Sequence, residues 1–157
     1  MLNRTTVTTG RLWATSFPLD FPTGKKLWAL PYPGLRSFLY FNTITDKSGN
    51  VSVQTVYGEE WEKRQLRGHG IKRYDFALVS MVPQDPGTSN ANVEQMENAQ
   101  AFMAWITEQN RLRNFPQFEG CKVLSIENLQ NMPNPAGVNA AGSVAKLMCQ
   151  CRVRYYE

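Results

Sequence analysis

The sequence has few of the residues that build most enzyme and metal sites. It contains one histidine and three cysteines among 157 residues. A tetrahedral zinc site needs four ligands, usually Cys or His, and Cys149 and Cys151 have no further ligands at a recognised spacing. We therefore interpret these two residues as small buried hydrophobic side chains. The odd number of cysteines also disfavours a disulfide framework and favours a reducing compartment.

Long apolar runs and catalytic motifs are absent as well. No stretch approaches the roughly 20 apolar residues of a membrane-spanning helix, and because no apolar segment follows Arg4 we expect no secretory signal. The sequence has no GxGxxG, Walker, GxSxG or HExxH motif. His69 lies between two glycines without an evident nucleophile, and the carboxylates of Glu59, Glu60 and Glu62 lack the spacing of a calcium loop. We therefore predict no catalytic, cofactor-binding or metal-binding residue.

The remaining composition is typical of one folded domain. Hydrophobic residues make up 42% and charged residues 19% of the chain, which is too apolar for a disordered protein and too polar for a membrane protein. Lysine and arginine number 17 against 13 acidic residues, a formal charge of +4. This excess is modest and gives only weak support for a nucleic-acid partner. We predict a single domain over residues 1–157.

Residues 1–34 differ from the rest of the chain because they contain repeated threonines and several prolines. Proline disfavours both a central strand and a long helix. A solvated linker would not need the aromatic residues that this segment also carries. We interpret it as an arm-like segment that packs either on its own domain or on a neighbouring molecule. Its candidate partner-contact residues are Trp13, Phe17, Phe21, Trp28 and Tyr32.

Residues 35–157 have a regular pattern that predicts an α+β core. Alternation of apolar and polar residues predicts five strands, at about 36–44, 51–57, 74–83, 121–129 and 143–156. Turn-forming residues at 45–50 predict that the first two strands form a β-hairpin. The segments 58–70 and 131–142 are interpreted as a connector and a long loop.

One amphipathic helix is predicted over about residues 92–112, with Pro116 preventing its continuation. Its apolar residues recur at spacings of three and four: Val93, Met96, Ala99, Phe102, Met103, Trp105 and Ile106. The fold class is therefore α+β, with a mostly antiparallel sheet of about five strands. The helix covers one face of the sheet, and the opposite face is expected to be solvated.

The last predicted strand carries the candidate charged surface. One set of alternate residues is apolar, and the other set includes Lys146, Arg152 and Arg154. Contacts with phosphates need only suitably spaced cations, so this basic stripe is a candidate DNA-facing surface. A plain solvent-facing surface explains the same pattern more simply and is the favoured interpretation.

Several motifs in the second half of the chain carry a family resemblance. They include Trp105-Ile106-Thr107-Glu108-Gln109-Asn110 with Phe115-Pro116 after it, and Cys151-Arg152-Val153-Arg154-Tyr155-Tyr156 at the end. Residues 71–157 thereby resemble tail terminators, the small neck or "minor capsid" proteins of long-tailed bacteriophages of Gram-positive hosts. Residues 1–34 depart from the family, whose members open with an amphipathic helix.

The resemblance implies a structural protein of the virion rather than an enzyme. Tail terminators are α+β subunits that form a hexameric ring, which caps the tail tube, ends its growth and joins the tail to the head. The implied partners are other copies of the chain, the tail tube protein, head-side neck proteins and genomic DNA passing through without sequence specificity. No cofactor and no membrane are implied, and assembly takes place in the host cytoplasm.

Two alternatives remain open at this stage. One is another neck protein, such as a head-completion or stopper protein, in which residues 131–142 could close the channel. The other is a small cytoplasmic ligand-binding domain or enzyme, which requires a concave pocket with convergent polar groups.

Overall fold

The computed structural model describes residues 39–41, 51–83, 91–116, 118, 120–138 and 140–157. These residues form one helix and seven strands: β1 Leu39–Phe41, β2 Val51–Thr55, β3 Trp61–Arg64, β4 Gly70–Pro83, α1 Ala91–Leu112, β5 Lys122–Asn128, β6 Asn134–Val138 and β7 Val144–Tyr156. The predicted α+β fold class, with one main helix packed on a mostly antiparallel sheet, is confirmed.

The seven described strands belong to one sheet. Its order is β1-β2-β4-β7-β5, with β3 paired to β4 and β6 paired to β7. The long strands β4 and β7 form its centre and pair from Ile71–Tyr156 to Pro83–Val144. Along the far edge of β7, β5 pairs with one half of the strand and β6 with the other. The strands β3, β5 and β6, which contribute to the candidate sites, therefore each pair with one of the two central strands.

The hydrophobic core lies between α1 and one face of this sheet. Tyr74, Phe76 and Leu78 alternate along β4 and are buried, as the sequence pattern predicts. They belong to the same cluster as alternate residues of β7 and the inward side of α1. Complete burial of one large aliphatic or aromatic side chain contributes about 1.5–3 kcal/mol, so this layer is a major source of hydrophobic stabilisation among the described residues.

The buried residues of α1 lie in the C-terminal half of the helix. Phe102 and Ile106 are fully buried, whereas Val93 is 57% exposed despite its place in the predicted stripe. Gln109 is buried, and its Oε1 accepts a hydrogen bond of 2.5 Å from Asn114 Nδ2. This bond satisfies a polar group that would otherwise be costly to bury.

Three local predictions are wrong. The strands β1 and β2 pair in parallel, so they are not adjacent strands of a hairpin; the predicted turn at 45–50 lies outside the described residues. The predicted connector contains β3, and the predicted long loop contains β6. Both missed strands are short and largely exposed, so neither shows the alternation of apolar and polar residues on which the prediction depends.

The expectation of a solvated second face is also wrong in part. Ala77, Val79 and Met81 of β4 and Ser52 of β2 are buried, although they alternate with the residues that face α1. In-register pairing places Ser52 beside Val79, so these side chains share one face. The charged portion of the same face, towards the other end of β4 and β7, is only half-buried.

Candidate functional site

The predicted basic stripe lies on the sheet face opposite α1. Arg152 stands beside Asp75 of β4 in the strand register. Its Nε lies 2.7 Å from Asp75 Oδ1 and its Nη2 lies 2.9 Å from Oδ2, which makes the pair bidentate. The side chain of Asp75 is 10% exposed and that of Arg152 is 25% exposed. The charge of Arg152 is therefore compensated within the fold.

Arg154 is compensated in the same way by β3, which pairs with the other edge of β4. Its Nε donates a hydrogen bond of 2.6 Å to Glu62 Oε2, and its Nη2 reaches the other carboxylate oxygen. The hydrogen bond from Arg154 lowers the pKa of Glu62 below its ordinary value, and the positive charges of Arg154, Arg152 and Arg73 act in the same direction. This pair is more exposed than the first, so water screens it more strongly.

The carboxylates that cluster before β4 are all used in such pairs. Glu59 Oε2 lies 3.7 Å from Arg73 Nη2, and Glu60 Oε1 lies 3.0 Å from Lys72 Nζ. Together with the ion pair of Glu62, these two ion pairs hold β3 and the two residues before it against β4 and β7. Each of the three carboxylates therefore has a lysine or arginine of the protein itself as its ion-pair partner.

Within the described part of the chain, Lys146 is the member of the predicted stripe that has no carboxylate partner. A surface with two neutralised arginines and one lysine offers little net charge to a polyanion. Whether the stripe faces DNA or solvent stays a prediction. The other predicted site, the aromatic segment Trp13, Phe17, Phe21, Trp28 and Tyr32, lies outside the described residues.

The β6–β7 hairpin is a second candidate surface, and the sequence pattern did not reveal it. All five residues of β6 are exposed, and β6 pairs with β7 but with no other described strand. The chain carries no charged residue from Asn128 to Ala145. Met132 is 55% exposed and Val138 is 52% exposed. The result is an uncharged, partly apolar sheet edge.

A groove of about 400 Å³ lies between α1 and the chain that leads from β5 into β6. Its lining includes Met103 and Thr107 of α1 together with Asn128 and Gln130. Asn128 Nδ2 donates to the carbonyl of Met103 at 2.8 Å, and Gln130 Nε2 donates to the carbonyl of Met148 at 2.8 Å. These amides fasten the loop to the helix and to β7, and no titratable side chain lines the groove.

The remaining reactive side chains occupy structural positions. Cys149 and Cys151 are buried on the core side of β7. Burial raises the pKa of Cys149 to about 11 and raises that of Cys151 further, so both thiols are protonated at neutral pH. His69 is exposed, and its Nδ1 lies 3.3 Å from the carbonyl oxygen of Glu157. Among the described residues, no three His, Cys, Asp or Glu side chains are grouped to hold a metal ion.

The surfaces that stand out among the described residues are the paired basic stripe, the exposed edge of β6 and the groove beside α1. No described helix is both long enough and apolar enough to cross a membrane. No protein-family model matches the sequence, and no curated protein matches it either.

Proposed function

We propose that the protein is a structural component of a bacteriophage virion, a tail terminator whose hexameric ring caps the tail tube and joins the tail to the head. Two independent lines support the proposal. The first is the resemblance of residues 71–157 to tail terminators. The second is the exposed, uncharged edge formed by β6, which is the observation that carries the proposal.

A ring of identical subunits needs a heterologous contact that closes on itself. The outer edge of β6 offers backbone N–H and C=O groups that no described strand uses. The cores of protein interfaces are depleted in charged residues, and the stretch from Asn128 to Ala145 has none. A second copy of this chain is the partner that a ring requires at this edge.

The same edge carries features that limit uncontrolled association. Pro135 has no backbone N–H to donate, and the register between β6 and β7 shifts between Pro135 and Gly137. Prolines and bulges are devices by which natural sheets restrict edge-to-edge pairing. They leave room for one defined contact and disfavour open-ended growth.

The hairpin also bears on the choice between neck proteins. A stopper needs a segment that is free to close a channel, and residues 131–142 were a candidate for this role. Residues 134–138 of that segment are instead paired with β7, which favours the terminator.

The proposal is tested by the assembly state of the purified full-length chain in native mass spectrometry. We expect the wild-type protein to form a hexamer at high concentration and Val138→Glu to lose it, because a charge would be buried at the contact. Val93→Glu is the matched control, since Val93 is exposed to a similar extent but lies near the start of α1, where a carboxylate is tolerated.

Two results would count against the proposal. A wild-type chain that stays monomeric at high concentration would favour the small ligand-binding domain. If Val138→Glu formed hexamers equally well, β6 would not lie in the contact between subunits, and only the family resemblance would support the proposal.

A further inference from the structure

Some of the described lysines and arginines form an ion pair with a carboxylate, and the others do not. Lys72, Arg73, Arg111, Arg152 and Arg154 form ion pairs. The described lysines and arginines without a carboxylate partner are Lys63, Arg64, Arg67, Arg113, Lys122 and Lys146. Four of these six gather at one end of the sheet, and the predicted stripe contributes none of the four.

We call this group the basic tip and define it as Lys63, Arg64, Arg67 and Lys122. Strand register places Lys63 beside Ile71, Ile71 beside Tyr156, and Tyr156 beside Lys122. The row therefore crosses four strands on one face. With strands about 4.8 Å apart, the two lysines are separated by about 14 Å.

The turn between β3 and β4 fixes the other two members. Arg67 lies in the turn, and Gly68 beside it has a φ of 85°, a conformation that glycine adopts without strain. A Cβ on Gly70 would collide with the carbonyl oxygen of Lys63, so only glycine allows β3 to approach so closely. Arg64 lies with its guanidinium 5.2 Å from the centre of the Trp61 ring. The β3–β4 hairpin thus carries three of the four cations, and Lys122 lies across the sheet on β5. Lys63 and Lys122 share one face, whereas Arg64, the strand neighbour of Lys63, lies on the opposite face.

Neighbouring acidic side chains do not neutralise the basic tip. Glu60 and Glu157 both pair with Lys72, and Glu62 pairs with Arg154. All four cations of the tip are exposed. Among the described residues, the basic tip therefore gathers four cations that do not pair with a carboxylate.

We propose that the basic tip binds the phosphate backbone of double-stranded DNA without sequence preference. Each DNA strand carries a phosphate about every 3.4 Å along the axis, so a row of about 14 Å covers about four phosphates. Exposed lysines and arginines on an open surface suit a regular polyanion, and backbone contacts need no pocket. The proposal depends on these charges and does not require the ring.

The test measures the affinity of the full-length protein for a fluorescently labelled DNA duplex by anisotropy, across a series of salt concentrations. The variant Lys63→Gln/Arg67→Gln removes two cations of the tip. The control Arg111→Gln/Arg113→Gln removes two exposed cations at the end of α1, outside both the basic tip and the basic stripe, so both variants have the same net charge. All four positions are exposed or half-buried, and circular dichroism verifies that the variants fold.

We expect the wild-type affinity to fall steeply with salt. The slope of log affinity against log salt should decrease by about 1.8 in the tip variant, because each phosphate contact contributes about 0.9. The control should keep the wild-type slope within about 0.5 of its value.

Three results overturn the proposal. In the first, the wild type does not bind DNA at about 50 mM salt, a salt range in which such contacts are strong. In the second, both variants lose the same amount of slope. In the third, the protein binds vesicles containing phosphatidylserine through the basic tip but does not bind DNA. The last result would assign the basic tip, with the exposed Leu66 in its turn, to an anionic lipid surface.

Discussion

The two bidentate ion pairs on the charged face should contribute unequally to stability, although their geometry is alike. Asp75 is 10% exposed and its partner Arg152 is 25% exposed, against 35% for Glu62 and 31% for Arg154. Water screens the second pair more strongly. We expect a coupling energy of about 1–2 kcal/mol for the Asp75 pair and about 0.2–1 kcal/mol for the Glu62 pair.

Double-mutant cycles measure these coupling energies directly. One cycle uses Asp75→Asn and Arg152→Gln, and the other uses Glu62→Gln and Arg154→Gln, with the free energy of unfolding taken from urea titrations at neutral pH. Repeating both cycles in 1 M salt, where the screening length is about 3 Å, should reduce the Glu62 coupling more than the Asp75 coupling. Equal couplings, or a larger value for the Glu62 pair, would refute the argument that burial decides the difference.

Two further predictions concern the core and the response to acid. Ile126→Ala should lower the free energy of unfolding by about 2–5 kcal/mol because Ile126 is fully buried in the core cluster, whereas Leu129→Ala, at a residue that is 37% exposed, should cost less than about 1 kcal/mol; similar losses in urea titrations of the two variants would contradict the proposed core. Because the folded protein lowers the pKa of Glu62, its carboxylate stabilises the fold above the unfolded pKa, and this stability is lost as the pH falls through the lowered folded pKa. Glu62→Gln should therefore be less stable than wild type at neutral pH, and the difference should shrink as acid protonates Glu62 in the folded protein. A difference that stays constant with pH would contradict this assignment.

The parts of the fold that the sequence predicts are those with a strong periodic pattern. Tyr74, Phe76 and Leu78 alternate because one face of β4 packs on α1, and the same reasoning predicts β7. The spacing of Phe102 and Ile106 identifies α1. In each case a single buried face imposes a regular spacing on the residues.

The parts that the sequence does not predict lack such a face. The residues of β3 are mostly exposed, and side-chain partners on β4 and β7 hold the strand in place. All five residues of β6 are exposed, so its pairing with β7 leaves no apolar alternation. The parallel pairing of β1 with β2 depends on which strand edge is open, a tertiary property that turn residues do not encode.

The same difference explains why the basic stripe was predicted and the basic tip was not. Alternation along β7 reveals that Lys146, Arg152 and Arg154 share a face, but it says nothing about acidic residues on other strands. Asp75 and Glu62 reach the two arginines from β4 and β3. Local sequence therefore predicts where cations lie, whereas only the sheet register shows which of them remain uncompensated.

The central claim, that the protein ends tail growth, is tested most directly by electron microscopy of particles from a phage in which this gene is deleted. We predict overlong, headless tails beside DNA-filled heads, with normal particles restored when the wild-type chain is supplied in trans. Tails of normal length beside heads that leak DNA would contradict the terminator and move the protein to the head side of the neck. Ordinary infectious particles would contradict any role in assembly.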